Sequence, residues 1–315
     1  MQQVNNQINH FISIQDINES TLISLIDLAS DIKLNNPNYS LNGKSLALLF
    51  EKPSLRTRIA FELGIAQMSG ISVNFDEKEL QMGKREALRD ISKVLSRYVD
   101  AIAARVLDHN TLVELKKYST IPIINALSDI EHPCQALADL MTIKEKKGSF
   151  QGLNLTFIGD GNNVASSLAL ACALVGINFT ISSPKGYELP GPIIENANRI
   201  ASYNKWSLNL IQDPNEAVKA ADIVYTDVWT SMGQETETKA RAVAFENYTV
   251  TTSLLSKAKE NAIFLHDLPA HRGEEIEDGI IEGPQSAVFD QAENRLHTQK
   301  ALLLMILSAE QAKGS

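Results

Sequence analysis

The stretch Lys44–Arg58, KSLALLFEKPSLRTR, decides the architecture. Its apolar run closes at Phe50, and from residue 55 a helical pattern takes over. A run apolar on both faces is what a parallel strand needs, because helices cover both sides of its sheet. The junction also carries chemistry. Ser54, Arg56 and Thr57 stand where the helix opens, and a first helical turn presents unpaired N–H groups and roughly half a positive charge. Hydroxyls and a two-pronged guanidinium added there describe an anion site, and phosphate suits it best.

The alternation continues outward. Strands are expected at 44–50, 71–75, 101–106 and 121–126, separated by helices near 55–69, 87–97 and 109–118 and followed by one at 133–147. That last helix ends in KEKKG, lysines in the final turn and a glycine beyond, which is a stop signal. The pattern then restarts with strands at 154–160, 178–183, 207–212, 222–227 and 262–267. The expected fold is α/β: two doubly wound parallel-sheet domains, 1–147 and 148–287, with an interdomain cleft as active site. An early helix near 19–34 and a last one beginning at 288 are expected to cross between the domains, the segment 288–315 packing back on the first.

Ligands of open parallel sheets gather at the carboxyl ends of strands. The polar stretches EKPSLRTR, SDIEHPCQ, GDGNN, DVWTSMG and HDLPAHRG all follow strand ends, as does Arg105. Composition narrows the partners. The 315 residues are 44% hydrophobic and 21% charged, enough for two ordinary cores without a disordered tract. A formal charge of −9 argues against nucleic acid or an anionic membrane surface. Cys134 and Cys172 form no framework, the N-terminus lacks a signal-peptide pattern, and ALLLMILSA at 301–309 is too short to span a bilayer. A cytoplasmic protein is expected.

In HPCQ, His132 precedes a helix-opening proline, with Gln135 following; a histidine near a helix start tends to stay neutral and can donate to a carbonyl oxygen. GDGNNV (159–164) follows a strand like a dinucleotide loop, yet Val164 holds the third glycine's place and Ser182-Ser183 ends the next strand without an acid for a ribose. No nucleotide cofactor is expected. Asn162 and Asn163 offer amides or a helix cap there. Asp227 ends a strand before the Ser231-Met232-Gly233 loop and suits a cationic amine. His266 and His271 match no common zinc spacing, so no metal is expected.

Together SLRTR, HPCQ, GDGNNV, DVWTSMGQE, HDLPAHRGEE and ENRLHTQKA, in this order over nearly the whole chain, resemble the aspartate/ornithine carbamoyltransferase family. SMG marks the branch that uses ornithine. The resemblance implies transfer of a carbamoyl group from carbamoyl phosphate to the δ-amino group of L-ornithine, giving L-citrulline and phosphate, by two α/β domains assembled as a trimer. It implies a carbamoyl-phosphate set of Ser54, Leu55, Arg56, Thr57, Gln81, Arg105, His132, Gln135, Asp267, Leu268 and Arg295. Asn163, Asp227, Ser231 and Met232 are the implied ornithine set, and Arg105, His132 and Asp267 the catalytic residues. Two positions depart from the family pattern: Leu55 replaces a threonine, and Asp267 replaces the cysteine of HCLP. The second keeps two other readings open, a different amine acceptor and a non-catalytic protein that binds the same ligands.

Overall fold

The computed structural model describes residues 8–75, 82–83, 85–201, 206–231 and 233–308. They form two compact units, one of Met1–Ala138 with Asn294–Ser315, the other of Asp139–Glu293. The first holds a four-stranded parallel sheet, β1 Ser45–Phe50, β2 Ile71–Phe75, β3 Ala101–Arg105 and β4 Ile123–Leu127, in the order β2-β1-β3-β4. The register is regular, Ser45 beside Ile71 and Leu46 beside Ala101, until it slips between Ala104 and Arg105. Phe11 adds a parallel bridge to Ile124 at the outer side of β4.

Central strands β1 and β3 are buried almost end to end, as the apolar runs require. Beneath them Leu49, Ile102, Ala104 and Ile123 pack with Ile91 of α3 (Leu88–Leu95) and with Leu112 and Leu115 of α4 (His109–Tyr118). The other helices of this unit are α1 (Glu19–Asn35), capped by Asn18, and α2 (Leu55–Ala66). Phe61 of α2 is fully enclosed. Truncating such a side chain to alanine costs about 3–5 kcal/mol.

The second unit holds five parallel strands, β5 Asn154–Ile158, β6 Asn178–Ser182, β7 Leu208–Leu210, β8 Ile223–Thr226 and β9 Ile263–Leu265, ordered β7-β6-β5-β8-β9. α5 (Pro133–Lys147) runs across the division between the units and α6 (Asn163–Val175) follows β5. α6 is built from Ala, Ser and Leu and is buried on nearly all sides, so it is a core helix rather than a surface one. Ile158, Val224 and Phe264 pack with Phe245, whose ring stacks 5.8 Å from Trp229. The long C-terminal helix Val288–Leu307 starts in the second unit and continues in the first, where Arg295 and Lys300 bond to Thr57 and Gln67 at the two ends of α2.

Candidate active site

At the start of α2, Ser54 is the N-cap by backbone geometry, yet its hydroxyl makes no cap bond, so it leaves the first-turn N–H groups to another acceptor. Leu55 points its side chain outward at 74% exposure; only its backbone belongs to the turn. Thr57 is buried and its Oγ1 accepts from Nη2 of Arg295 at 2.6 Å. Arg105 ends β3, 92% enclosed, at the register slip. Such irregularities re-aim a side chain.

His132 is buried immediately before Pro133, and its carbonyl receives the N–H groups of Gln135 and Ala136 in the first turn of α5. Burial pushes the imidazole pKa well below its ordinary value, and the guanidinium groups of Arg295, Arg105 and Arg56 push it further. His132 is therefore neutral and lies within the field of all three arginines. A helix start, three guanidiniums and a neutral imidazole together can hold a dianion and still offer an uncharged donor. Cys134 nearby is inert, its thiol pushed up to about 12 by burial.

In the second unit the residues after β5, β8 and β9 come together. Gly159 takes φ +143, and a Cβ on Gly161 would lie 2.4 Å from the carbonyl of Glu188. The glycines of GDG thus serve a backbone-to-backbone contact. Asn162 caps α6 through Oδ1, which accepts from Val164 and Ala165, while its Nδ2 donates to Oδ2 of Asp227 at 2.7 Å. The other Asp227 oxygen accepts from the Val228 N–H at 2.7 Å. Asn163 is half-buried beside them, and the Ser231 N–H donates to Gln234 Oε1 at 3.0 Å.

Asp267 Oδ1 lies 3.6 Å from Nδ1 of His266, and the side chain is mostly enclosed. That Nδ1 accepts the Leu268 N–H at 2.9 Å, so the ring proton sits on Nε2, 3.1 Å from Oε1 of the buried Glu275. The bond holds Leu268 at φ +61, a conformation rarely adopted by a branched side chain. Asp227, His266 and Asp267 bring donor atoms within 4.8 Å of one another, the atom types of a metal site. Both imidazole nitrogens are already committed, however, and the remaining carboxylate pair suits an ammonium group. His271, Glu274 and Glu275 form a second such group, largely at the surface.

Sequence reading missed two residues. Asn162 was foreseen as a cap, but its bond to Asp227, 65 positions away, has no sequence signal. Arg241 was not singled out. Its Nη1 donates to Asp160 Oδ2 at 2.7 Å and to the Trp229 carbonyl at 2.9 Å, its Nε donates to Glu237 at 2.9 Å, and it lies 4.9 Å from the Tyr187 ring centroid. It pins both ends of the loop carrying Ser231. The only hint was a basic residue after QETET. Gln81 and Met232 lie outside the described residues.

Residues 9–145 match the model of the aspartate/ornithine carbamoyltransferase carbamoyl-P binding domain, and 151–306 that of its Asp/Orn binding domain. An ornithine carbamoyltransferase of Acidothermus cellulolyticus is 48% identical over 98% of this chain and 99% of its own. One from Bacillus subtilis is 50% identical over 94% and 93%. The solved ornithine carbamoyltransferase of Pyrococcus furiosus superposes with TM-score 0.93 at 44% identity, covering 96% of this chain and 98% of that one.

Proposed function

The chain belongs to the aspartate/ornithine carbamoyltransferase family, and from that premise we propose how its residues divide the reaction. The enzyme moves the carbamoyl group of carbamoyl phosphate onto the δ-amino group of L-ornithine, giving L-citrulline and phosphate. Residues 1–147 with the returning C-terminal segment 288–315 take carbamoyl phosphate, and residues 148–287 take ornithine.

The phosphate is held by the N–H groups of the α2 start with Ser54, Arg56, Thr57 and Arg295, joined by Gln81. The exposed side chain of Leu55 supports a backbone role there, which makes the missing threonine hydroxyl tolerable. Arg105, His132 and Gln135 face the carbamoyl carbonyl. As the amine lone pair attacks the carbon, charge builds on that oxygen and then leaves with phosphate as the C–O bond breaks. A neutral His132 donates without competing for the proton the amine must lose. Removing one such donor from an enzyme typically costs about 10²–10³ in rate. Asp227 and Ser231 hold the α-amino group and Asn163 the carboxylate, and Met232 completes the ornithine set. Asp267 takes the place of the family cysteine as proton acceptor, and Leu268 contributes its backbone. Much of the remaining acceleration comes from holding two substrates in line.

The observation that carries this reading is the helix start that Ser54 leaves without a side-chain cap, with Arg295 bonded to Thr57 and a neutral His132 among three guanidiniums. Its test is citrulline formation from carbamoyl phosphate with ornithine, putrescine, lysine and N-acetylornithine. Turnover with ornithine above all is expected. Preference for another amine would move the acceptor assignment to the Asp267 alternative, and ligand binding without any turnover would mean a non-catalytic protein.

We also propose a homo-oligomer with a trimeric unit. Ile59 and Leu63 are exposed apolar side chains of α2, and Ile71 and Val73 are exposed on the edge strand β2. Two buried free cysteines suit a reducing cytoplasm. Among the described residues, no helix is long and apolar enough to cross a membrane.

A further inference from the structure

On the outer side of β9 the chain runs beside the strand once more before it turns into the C-terminal helix. Phe264 donates its N–H to the Gln285 carbonyl at 2.8 Å and accepts the N–H of Ala287 at 3.0 Å, with Ser286 bridged to it in parallel. Backbone groups return to the same side of a strand every second residue, so the next N–H toward this edge is that of His266. Its acceptor is a side chain rather than a backbone carbonyl: Oε1 of Gln291, in the first turns of the helix Val288–Leu307, at 2.9 Å.

Gln291 is fully buried, and its amide has a single workable orientation because Oε1 must accept from His266. Nε2 therefore faces the other way, donating to Oδ1 of the buried Asp139 on α5 at 2.7 Å and to the Tyr225 hydroxyl of β8 at 3.0 Å. That hydroxyl lies 3.4 Å from both Asp139 oxygens. Side chains from α5, β8 and the C-terminal helix are thus committed to holding one backbone N–H, and a buried network of this kind fixes geometry. The residue that follows is Asp267, mostly enclosed, its Oδ1 3.6 Å from Nδ1 of His266.

We propose that Gln291 is a positioning residue of the reaction: by tying the His266 N–H to Asp139 and Tyr225 it fixes where the chain leaves β9, and so how close the Asp267 carboxylate stands to the substrate amine. The inference rests on the assignment of Asp267 as proton acceptor. The other titratable groups around Asp267 are His266 and Asp227, with Glu275 behind the His266 ring. Tyr225 adds a hydroxyl whose pKa is pushed up by burial and by Asp139, Asp267 and Asp227. Substitution of Gln291 alters the charge of none of them.

The test is kcat for citrulline formation across pH in the full-length protein, with Gln291→Met, Asp267→Asn and the double variant beside the wild type. Without its anchor the carboxylate retreats, and each ångström beyond about 5 Å weakens its hold on the amine by about 0.4 pH unit at an effective dielectric of about 20. The rising limb of Gln291→Met should move downward by about 0.3 pH unit or more, toward that of Asp267→Asn. In the double variant it should move no further than in Asp267→Asn alone. A merely structural role would lower stability or kcat and leave the limb in place. If Gln291→Met does not fold, Gln291→Asn gives the same reading, its amide one methylene short of the span from His266 to Asp139. A wild-type limb in the Gln291 variant while that of Asp267→Asn is displaced, or a further displacement in the double variant, would overturn the proposal and leave the Asp267 assignment standing. An Asp267→Asn limb coincident with the wild type would remove that assignment and the proposal with it.

Discussion

Replacing Asp267 by cysteine should move the pH dependence of turnover downward. The carboxylate is mostly enclosed and shares a cluster with Asp227, their donor atoms within 4.8 Å of each other and of His266. An anion beside the δ-ammonium of bound ornithine favours the protonated, unreactive amine and so raises its pKa. At about 5 Å and an effective dielectric of about 20 the attraction is about 3 kcal/mol, or about 2 pKa units. Partial solvent access reduces that to about 1–2 units. Below its pKa the free-amine fraction rises tenfold per pH unit. The rising limb of kcat should therefore lie about 1–2 pH units higher in the wild type than in Asp267→Cys. The assay is kcat for citrulline formation at saturating substrates across pH. Asp267→Asn belongs beside it, because a neutral amide removes the charge without adding a thiol that titrates near about 8.5. Coincident limbs in all three proteins would refute the electrostatic argument and leave Asp267 without influence on the amine.

Arg241→Leu should raise the KM for ornithine at least about tenfold while leaving that for carbamoyl phosphate unchanged, with Arg241→Lys in between; breaking its buried pair with Asp160 should also cost about 3–5 kcal/mol of stability by chemical denaturation. Leu55→Thr, at an exposed side chain, should leave the KM for carbamoyl phosphate within about twofold and stability within about 0.5 kcal/mol. His132 is held neutral in the fold, whereas an unfolded histidine takes a proton below about pH 6.5. Its contribution to stability is thus fully present above that pH and is lost as the pH falls toward the lower folded-state value. The Tm of His132→Asn should consequently fall less than that of the wild type between about pH 7 and about pH 5.

Runs buried on both faces were the readable part of the chain. LALLF, AIAAR and NLTFI had few alternatives as central strands, and α4 and α5 were bounded correctly by their caps and lysine-rich ends. Among the described residues four α-helices escaped notice, Pro214–Ala217 and Thr252–Leu255 being single turns. Gly191–Ile200 opens with Pro190 and Gly191, which locally read as a turn, and Thr238–Ala244 is short with a mostly polar face. The edge strand β7 is only Leu208–Leu210, shorter than its apolar run suggested, because pairing with β6 alone sets its length. Candidate site residues after strand ends could be proposed because topology fixes where such residues gather. Asn162 as partner of Asp227 and Arg241 as anchor of Trp229 and Asp160 were not, since each role depends on proximity across more than ten residues. Side-chain direction was likewise invisible: nothing in HDLP tells that Nδ1 of His266 turns to Leu268.

The grip on phosphate at the start of α2 is the claim on which everything else rests. A crystal structure of the protein with carbamoyl phosphate measures it directly. The phosphoryl oxygens should lie within hydrogen-bond distance of the N–H groups of residues 55–57 and of the Arg56 guanidinium, with the carbamoyl oxygen at Arg105 and His132. Ligand density elsewhere, with those side chains making no contact to it, would contradict the account.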